Sequence, residues 1–481
     1  MGRRVGPGWE PSSVNTPSRM KADLAGVQES RPSQAIVEPA PPVWEQCAAM
    51  IVIVMMTGAL IGPIFAPTQE ETPVLRLAWL PIYAIISGLL VIRVSKLVRV
   101  WPAVLMLGPM FLYAWASQFW SIDAETTSRR VLALAFASAF SIYLGAVFTG
   151  PHLPRLLMCG GVLMGLGSLV MVIAFPTIGL HLDVNAPLWR GLWYEKNQMG
   201  FVMVVGAIGA AACLATDDRR RLLPAIALVM TSALVIATQS KTALLCLGVG
   251  VGSIFCLWLL RKGGPVFAVI AIWLGVAIGG VGAWYLISDP TAALEALGKD
   301  PSLTGRTDIW DSLMRRVEER PWAGYGYNAF WGKESVPAAF VRAETGWRVP
   351  SAHNGWIDLL VQLGWIGVIG VGVLMLTTVL ISVFRLGGAG RREGYWSIGY
   401  LLAFLVLSLS ESVLLSHANL PWALFLAIVA RAVSTERSQI RPPDYYRRGT
   451  GRHVMARQTH RTSFAPAFSL PAARYPRRDW T

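Results

Sequence analysis

Apolar residues gather into long runs separated by short polar connections. Twelve runs stand out: 47–65, 74–92, 100–116, 131–148, 155–175, 200–216, 222–238, 243–260, 265–287, 356–384, 395–411 and 418–433. A bilayer core of about 30 Å is crossed by about 20 residues of α-helix. The pattern therefore predicts an all-α, polytopic integral membrane protein with about 12 transmembrane helices. The run 356–384 is longer than one crossing needs, so its start is expected to be a half-buried helix. These runs define one membrane domain over residues 47–433.

The polar flanks read differently. Residues 1–46 are rich in Pro, Ser and charge, which predicts a disordered cytoplasmic tail. The first apolar run begins only near Ala48, too late for the h-region of a cleavable signal. Residues 434–481 form a basic tail carrying Arg441, Arg447, Arg448, Arg452 and Arg457, suited to anionic lipid.

The connection 288–355 stands apart. It runs for 68 residues, where connections of a few residues are usual. Within it, Ile309, Trp310, Leu313, Met314 and Val317 recur at helical spacing, with Arg315, Arg316, Glu318 and Glu319 opposite. Thr307 is placed to cap this helix and Pro321 to stop it. The pattern predicts an amphipathic helix on a membrane surface.

Short-loop cations give the orientation. Arg93, Lys96, Arg99, Arg155, Arg219, Arg220, Arg221, Arg261, Lys262, Arg385, Arg391 and Arg392 make 12 on one side. Arg76, Arg129, Arg130, Arg190, Lys196 and Lys241 make 6 on the other. The richer side is cytoplasmic. Both termini then lie inside and the 288–355 loop lies outside.

Composition supports a bilayer. The chain is 54% hydrophobic and 15% charged, where soluble domains carry about 25% charge. Its mean hydropathy is +0.49. The net charge of +14 sits in loop clusters and tails with no nucleic-acid motif, so nucleic acid is not an expected partner. Cys47, Cys159, Cys213, Cys246 and Cys256 lie in or beside apolar runs without metal-ligand spacing, so neither disulfides nor zinc are expected.

Charge is scarce within the runs, and polar groups collect at their outer ends: Asp123, Arg190, Glu195, Lys196, Asn197, Lys241, Arg306, His353 and Glu411. An ion-coupled carrier would place ionisable groups at mid-membrane. His353 is the best general-base candidate, since imidazole accepts a proton near neutral pH. The plainer alternative is a residue that caps the following helix. Asn354 could hold a ring nitrogen or a sugar hydroxyl. Arg190, Lys196 and Lys241 are either phosphate ligands at helix ends or snorkelling anchors. Arg306 is either a ligand or a surface charge. Asp123 and Glu411 would orient a cation or a sugar, or form ordinary interface salt bridges.

Several motifs are missing. No Gly-rich loop ends in Gly-Lys-Ser/Thr, no Asp-x-Asp pair suits a metal-bound nucleotide sugar, and no Gly-x-Ser-x-Gly elbow is present. An activated substrate would have to arrive through the membrane.

The segment "HNGWIDLLVQLGWIG" (353–367) reads His-Asn, nine residues, Gly-x-x-Gly. With "WSIDAETTSRR" (120–130), "LWYEKNQMG" (192–200), "SKTALL" (240–245), "GRTDIWDSLMRRVEERPWAGYGYNAF" (305–330) and "SESVLL" (410–415), it resembles the O-antigen ligase and polysaccharide polymerase superfamily. Motif order and the long late loop match, over roughly residues 45–433. Within the superfamily the chain looks most like exopolysaccharide polymerases of succinoglycan-type pathways.

The resemblance implies an inverting, metal-independent, cofactor-free glycosyltransferase that uses undecaprenyl-diphosphate-linked glycan as donor. The acceptor would be a second lipid-linked glycan for a polymerase, or lipid A core for a ligase. Other polysaccharide export proteins would be further partners. It gives His353 the base role and Arg190, Lys241 and Arg306 the diphosphate. Asn354, Lys196, Asn197, Asp123 and Glu411 follow as further substrate contacts. The family commonly has Arg where Lys241 stands, and lysine lacks the bidentate fork. A lipid-linked glycan flippase and an export scaffold are the competing readings; the first would want a charged central cavity.

Overall fold

The computed structural model describes residues 2, 39–59, 73–183, 186–216, 221–288, 306–386 and 391–434. Most of both tails and all of residues 289–305, the first part of the long loop, lie outside the described residues. The helices are α1 (Val43–Met56), α2 (Pro73–Ile92), the short α3 (Val94–Leu97), α4 (Trp101–Ala116), α5 (Ala124–Val147), α6 (His152–Ala174) and the one-turn α7 (Pro176–Gly179). They continue as α8 (Lys196–Thr216), α9 (Leu222–Thr238), α10 (Lys241–Ser288), α11 (Arg306–Glu319), α12 (Val336–Thr345), α13 (Gly355–Leu386), α14 (Arg391–Ser408) and α15 (Leu420–Ala432).

Six segments are long and apolar enough to cross a membrane: Val94–Phe119, Ala124–Val147, His152–Ala174, Lys196–Thr216, Lys241–Leu260 and Gly355–Arg385. Five further apolar helices, of 10–17 residues, are Val43–Met56, Leu77–Ile92, Leu222–Thr238, Gly394–Ser408 and Leu420–Ala432. By length and composition the expectation of about twelve spans is thus met by six among the described residues. The first helix starts at Val43, inside the segment expected to be a disordered tail.

One expectation needs correcting. The chain is not wholly α: strands β1 (Leu180–Asp183) and β2 (Ala186–Trp189) form an antiparallel hairpin, with Leu180 opposite Trp189. Two four-residue strands give too short an alternation to register against the long apolar runs.

α8 lies at the centre and packs against α6, α9, α10 and α14. Its residues from Met199 to Cys213 are all buried. Lipid cannot drive helices together hydrophobically, so close backbone approach supplies the packing. A Cβ on Gly161 of α6 would lie 2.7 Å from the Cα of Gly206 of α8. α15 is likewise buried on nearly every side, against α5. The outer helices leave Leu77, Leu80, Leu105 and Leu112 well exposed, as a lipid-facing surface would.

Two long helices are broken by glycine. In α10, Gly264 takes φ 74° and ψ −175°, dividing 241–288 at the boundary expected between the runs 243–260 and 265–287. In α13, Gly364 takes φ 63° and ψ −167°, a region open essentially to glycine alone. A short helix, 355–363, therefore precedes the long one. The backbone groups freed by the break are satisfied by the segment "PWAGYG" (321–326). Trp365 N donates to Pro321 O at 2.8 Å, Tyr325 N to Val361 O at 2.9 Å and Gly326 N to Gln362 O at 2.9 Å. The Tyr113 hydroxyl of α4 adds a bond to Leu363 O at 3.1 Å. Irregular backbone at a membrane boundary needs such cover.

α11 departs from expectation. It forms over Arg306–Glu319, starting one residue before Thr307, but its apolar face does not lie on a membrane surface. Ile309, Leu313 and Val317 pack with Tyr325, Phe330, Val341, Val349, Leu360 and Val361 in a core of the loop itself. The sequence period shows only that a face is covered, and α12 together with the 355–363 helix covers it.

Candidate functional site

Four separated segments converge where the loop core meets the helix ends. The first is the turn before α13. The Asn354 carboxamide oxygen accepts from Trp356 N at 2.9 Å and Ile357 N at 3.2 Å, so Asn354 caps the 355–363 helix. That cap puts His353 in a left-handed conformation, φ 47°, where histidine is among the enriched non-glycine residues. The turn is tied down on both sides. Trp310 Nε1 donates to Ala352 O at 2.9 Å, and Ala352 N donates to the Asp358 carboxylate at 3.4 Å.

The second segment is 409–419, which joins α14 to α15 without helix and brings in Glu411. Glu411 Oε2 lies 3.7 Å from His353 Nδ1. The third is the start of α11. Arg306 lies 3.9 Å from Glu411 Oε1, and its fork donates to Ser410 O at 3.0 Å and His353 O at 3.5 Å. The fourth is the first turn of α8, where Asn197 Nδ2 donates to Glu411 Oε1 at 2.9 Å. The Asn197 carbonyl accepts from Ser240 Oγ at 2.8 Å, and Ser240 Oγ accepts from Ala243 N at 3.3 Å at the start of α10.

The side chains of His353, Glu411 and Arg306 are each about one-fifth exposed, so the cluster is enclosed on most sides yet open. Glu195, one residue before α8, sits in the same field. Burial, then the Glu411 charge, push its carboxyl above the usual range, while His353, His181 and Arg306 pull it back.

The structure therefore brings together His353, Asn354, Arg306, Asn197 and Glu411. Lys196 and Lys241 adjoin Asn197 and Ser240 along the chain, half-buried and exposed respectively. Arg190 and Asp123 are engaged in other contacts. The Arg190 guanidinium donates to the carbonyls of Ile178 at 2.8 Å, Thr177 at 3.3 Å and Tyr194 at 3.4 Å, tying the hairpin to the approach of α8. Asp123 caps α5, accepting from Thr126 N at 2.9 Å, and those hydrogen bonds hold its carboxyl below the usual range.

A second polar chain supports the His353 turn from behind, and sequence reasoning missed it. Asp358 accepts from Trp331 Nε1 at 2.6 Å and Gln362 Nε2 at 3.0 Å. Gln362 Oε1 accepts from Asn328 N at 2.8 Å, and the Asn328 side chain meets His417 Nδ1 at 3.1 Å. His417 Nε2 faces the Arg130 guanidinium. The His417 ring is thus held between the Asn328 amide nitrogen and the Arg130 guanidinium. The available signal was Asp358 and Gln362, two polar residues inside an apolar run.

Residues 226–372 match the O-antigen ligase family. That stretch includes Ser240, Lys241, Arg306, His353, Asn354 and Asp358; Asn197 and Glu411 fall outside it. Exopolysaccharide production protein ExoQ of Rhizobium meliloti (strain 1021) is 26% identical over 205 residues, covering 40% of this chain and 45% of that protein. An O-antigen ligase of Pseudomonas aeruginosa (strain PAO1) is 24% identical over 315 residues, covering 64% of this chain and 70% of that protein. The chain thus spans under half of the first relative and about two-thirds of the second. The family match is confined to residues 226–372, and the long apolar helices are those of a membrane protein.

Proposed function

We propose that this chain is a membrane glycosyltransferase that transfers glycan from undecaprenyl diphosphate to an acceptor hydroxyl, with His353 as general base. The convergence of His353, Glu411, Arg306 and Asn197 from four segments carries the reading. The acceptor oxygen attacks the anomeric carbon from the face opposite the diphosphate. The carbon–oxygen bond to the diphosphate breaks with inversion, its electron pair leaving on the phosphate oxygen. The hydroxyl proton passes to His353. Arg306 meets the developing phosphate charge at a helix N-terminus, where Lys241 and Lys196 add positive charge at the rim. A diphosphate leaves readily once its charge is met, so no metal is needed in this scheme.

The excess of basic residues in the opposite loops supports a site at the periplasmic face of the inner membrane. Repeat-unit polymerisation is the favoured reaction, matching the exopolysaccharide role in the first relative's name. Ligation to lipid A core is the second reading, favoured by the longer alignment to the O-antigen ligase.

The test uses undecaprenyl-diphosphate-linked oligosaccharide extracted from a strain that lacks this chain, presented to the purified protein in nanodiscs. His353→Ala should lower turnover at least about 100-fold, within the range a positioned base supplies. Near-normal turnover would remove the base. Longer lipid-linked glycan as product marks a polymerase; transfer only when lipid A core is added marks a ligase.

A further inference from the structure

We propose that Glu411, Asn197 and Ser240 form a relay that orients the His353 imidazole and makes Nε2 the atom that receives the proton. The proposal rests on His353 being the base. His353 Nδ1 is enclosed and has no hydrogen-bond partner, yet the ring as a whole keeps 20% of its surface open. The enclosed nitrogen points at Glu411 Oε2, 3.7 Å away. An N–H there faces a carboxylate, whereas a lone pair there would face negative charge. The neutral ring therefore carries its proton on Nδ1 and offers the Nε2 lone pair to the acceptor hydroxyl. When Nε2 takes that proton, the imidazolium charge forms beside Glu411. A gap of 3.7 Å closes to hydrogen-bond length by a small ring rotation, and such contacts often tighten only with substrate bound.

Glu411 can orient the ring only if it is itself fixed. Asn197 Nδ2 donates to Glu411 Oε1 at 2.9 Å, which leaves Oε2 for the imidazole. The Asn197 amide has one orientation, because the Glu411 carboxylate only accepts; the Asn197 carbonyl is then left to accept from Ser240 Oγ at 2.8 Å. Ser240 is fixed in turn as the cap of α10, accepting from Ala243 N. The proton on each member thus points one way along the chain, from Ser240 to Asn197 to Glu411, and from His353 Nδ1 to the same carboxylate. Arg306 lies 3.9 Å from Oε1 and leaves Oε2 to the imidazole. Asn197 is on this account a positioning residue rather than a sugar ligand.

The experiment is nitrogen NMR of the full-length protein in nanodiscs with labelled histidine. The chain has 6 histidines, and His353 is assigned by its loss in His353→Ala. Turnover is measured in parallel with the extracted lipid-linked oligosaccharide. The wild-type ring should show the Nδ1–H tautomer. Glu411→Ala should shift it to Nε2–H, the form free histidine prefers in water. Asn197→Ala and Ser240→Ala should give mixed tautomers and about five-fold lower kcat, the worth of one hydrogen bond, at unchanged donor KM. Ser240→Thr, which restores the hydroxyl, should recover most of the loss. A wild-type tautomer in Glu411→Ala, or a raised donor KM at unchanged kcat in Asn197→Ala, would overturn the relay. An active His353→Ala would sink the base itself, which is a different result.

Discussion

Gly364→Ala is the perturbation whose cost follows most directly from the backbone. With φ 63° and ψ −167°, a side chain at this position costs roughly 1–3 kcal/mol in backbone strain alone. The new Cβ would also sit 2.2 Å from the carbonyl carbon and oxygen of Trp322, a rigid target. Either the 321–326 segment or the helix must move. Moving it strains the bonds from Trp365 N to Pro321 O and from Tyr325 N to Val361 O, each worth about 1 kcal/mol. The sum is roughly 3–5 kcal/mol. For a chain of this size, with an unfolding entropy of roughly 1 kcal/mol/K, that corresponds to a fall in Tm of roughly 3–5 °C. Gly88→Ala is the matched control: it lies within α2 with nothing within 4 Å of its Cβ position, so alanine should be neutral or mildly stabilising. The assay is thermal unfolding of both variants in nanodiscs, followed by tryptophan fluorescence. Turnover of Gly364→Ala should also fall, since the 355–363 helix carries the His353 turn. If Gly364→Ala melts with the wild type and transfers glycan normally, the break is not what fixes the site.

Two further outcomes follow from buried polar groups. Glu45 is fully buried in α1, accepting from Arg93 Nε at 2.8 Å and Nη2 at 2.5 Å and from the Tyr143 hydroxyl at 2.7 Å. Glu45→Ala should cost roughly 3 kcal/mol and Glu45→Met with Arg93→Met much less, read by the same melting assay, because a broken buried pair is worse than none. His417 is pushed down to about 3 by burial and then by the Arg130 guanidinium. It stays neutral in the folded protein while the unfolded chain gains its proton as pH falls below about 6.5. Its contribution to stability is thus complete above that pH and is lost progressively toward pH 3. Melting temperature measured from pH 7 to pH 4 should fall, and His417→Gln should flatten that fall.

Much of the fold was legible in hydropathy because a bilayer makes strict demands on helix length. The run 222–238 coincides with α9, and the gap before residue 265 coincides with the Gly264 break. The site was legible more coarsely. His353, Arg306, Asn197 and Glu411 are polar residues at run ends, and they meet. Asp123, Asn354 and Arg190 look the same in sequence, yet the structure spends Asp123 and the Asn354 oxygen on helix caps and Arg190 on three carbonyls. A carboxylate that caps a helix and one that orients a base differ only in what folds against them, which one chain cannot show without its long-range contacts. Ser240 illustrates this best: beside Lys241 it reads as an ordinary cap, and its second bond, to Asn197 43 residues away, is what ties it to the site.

The same logic explains why the long loop and the late spans cannot be treated as separable parts. The break at Gly364 frees carbonyls at 361, 362 and 363 and amides at 365 and 366 from the helix's own ladder. The loop supplies partners to all of them through residues 321–326, with Tyr113 of α4. In return the short helix 355–363 lends Leu360 and Val361 to the loop core. Neither half is satisfied alone. This mutual cover fixes the two elements against each other: α11 delivers Arg306 and the 355–363 helix delivers His353 from one packed unit. Changes that loosen the loop core, such as at Leu313 or Val341, should therefore act on turnover through the distance between Arg306 and His353, even though neither residue touches the site.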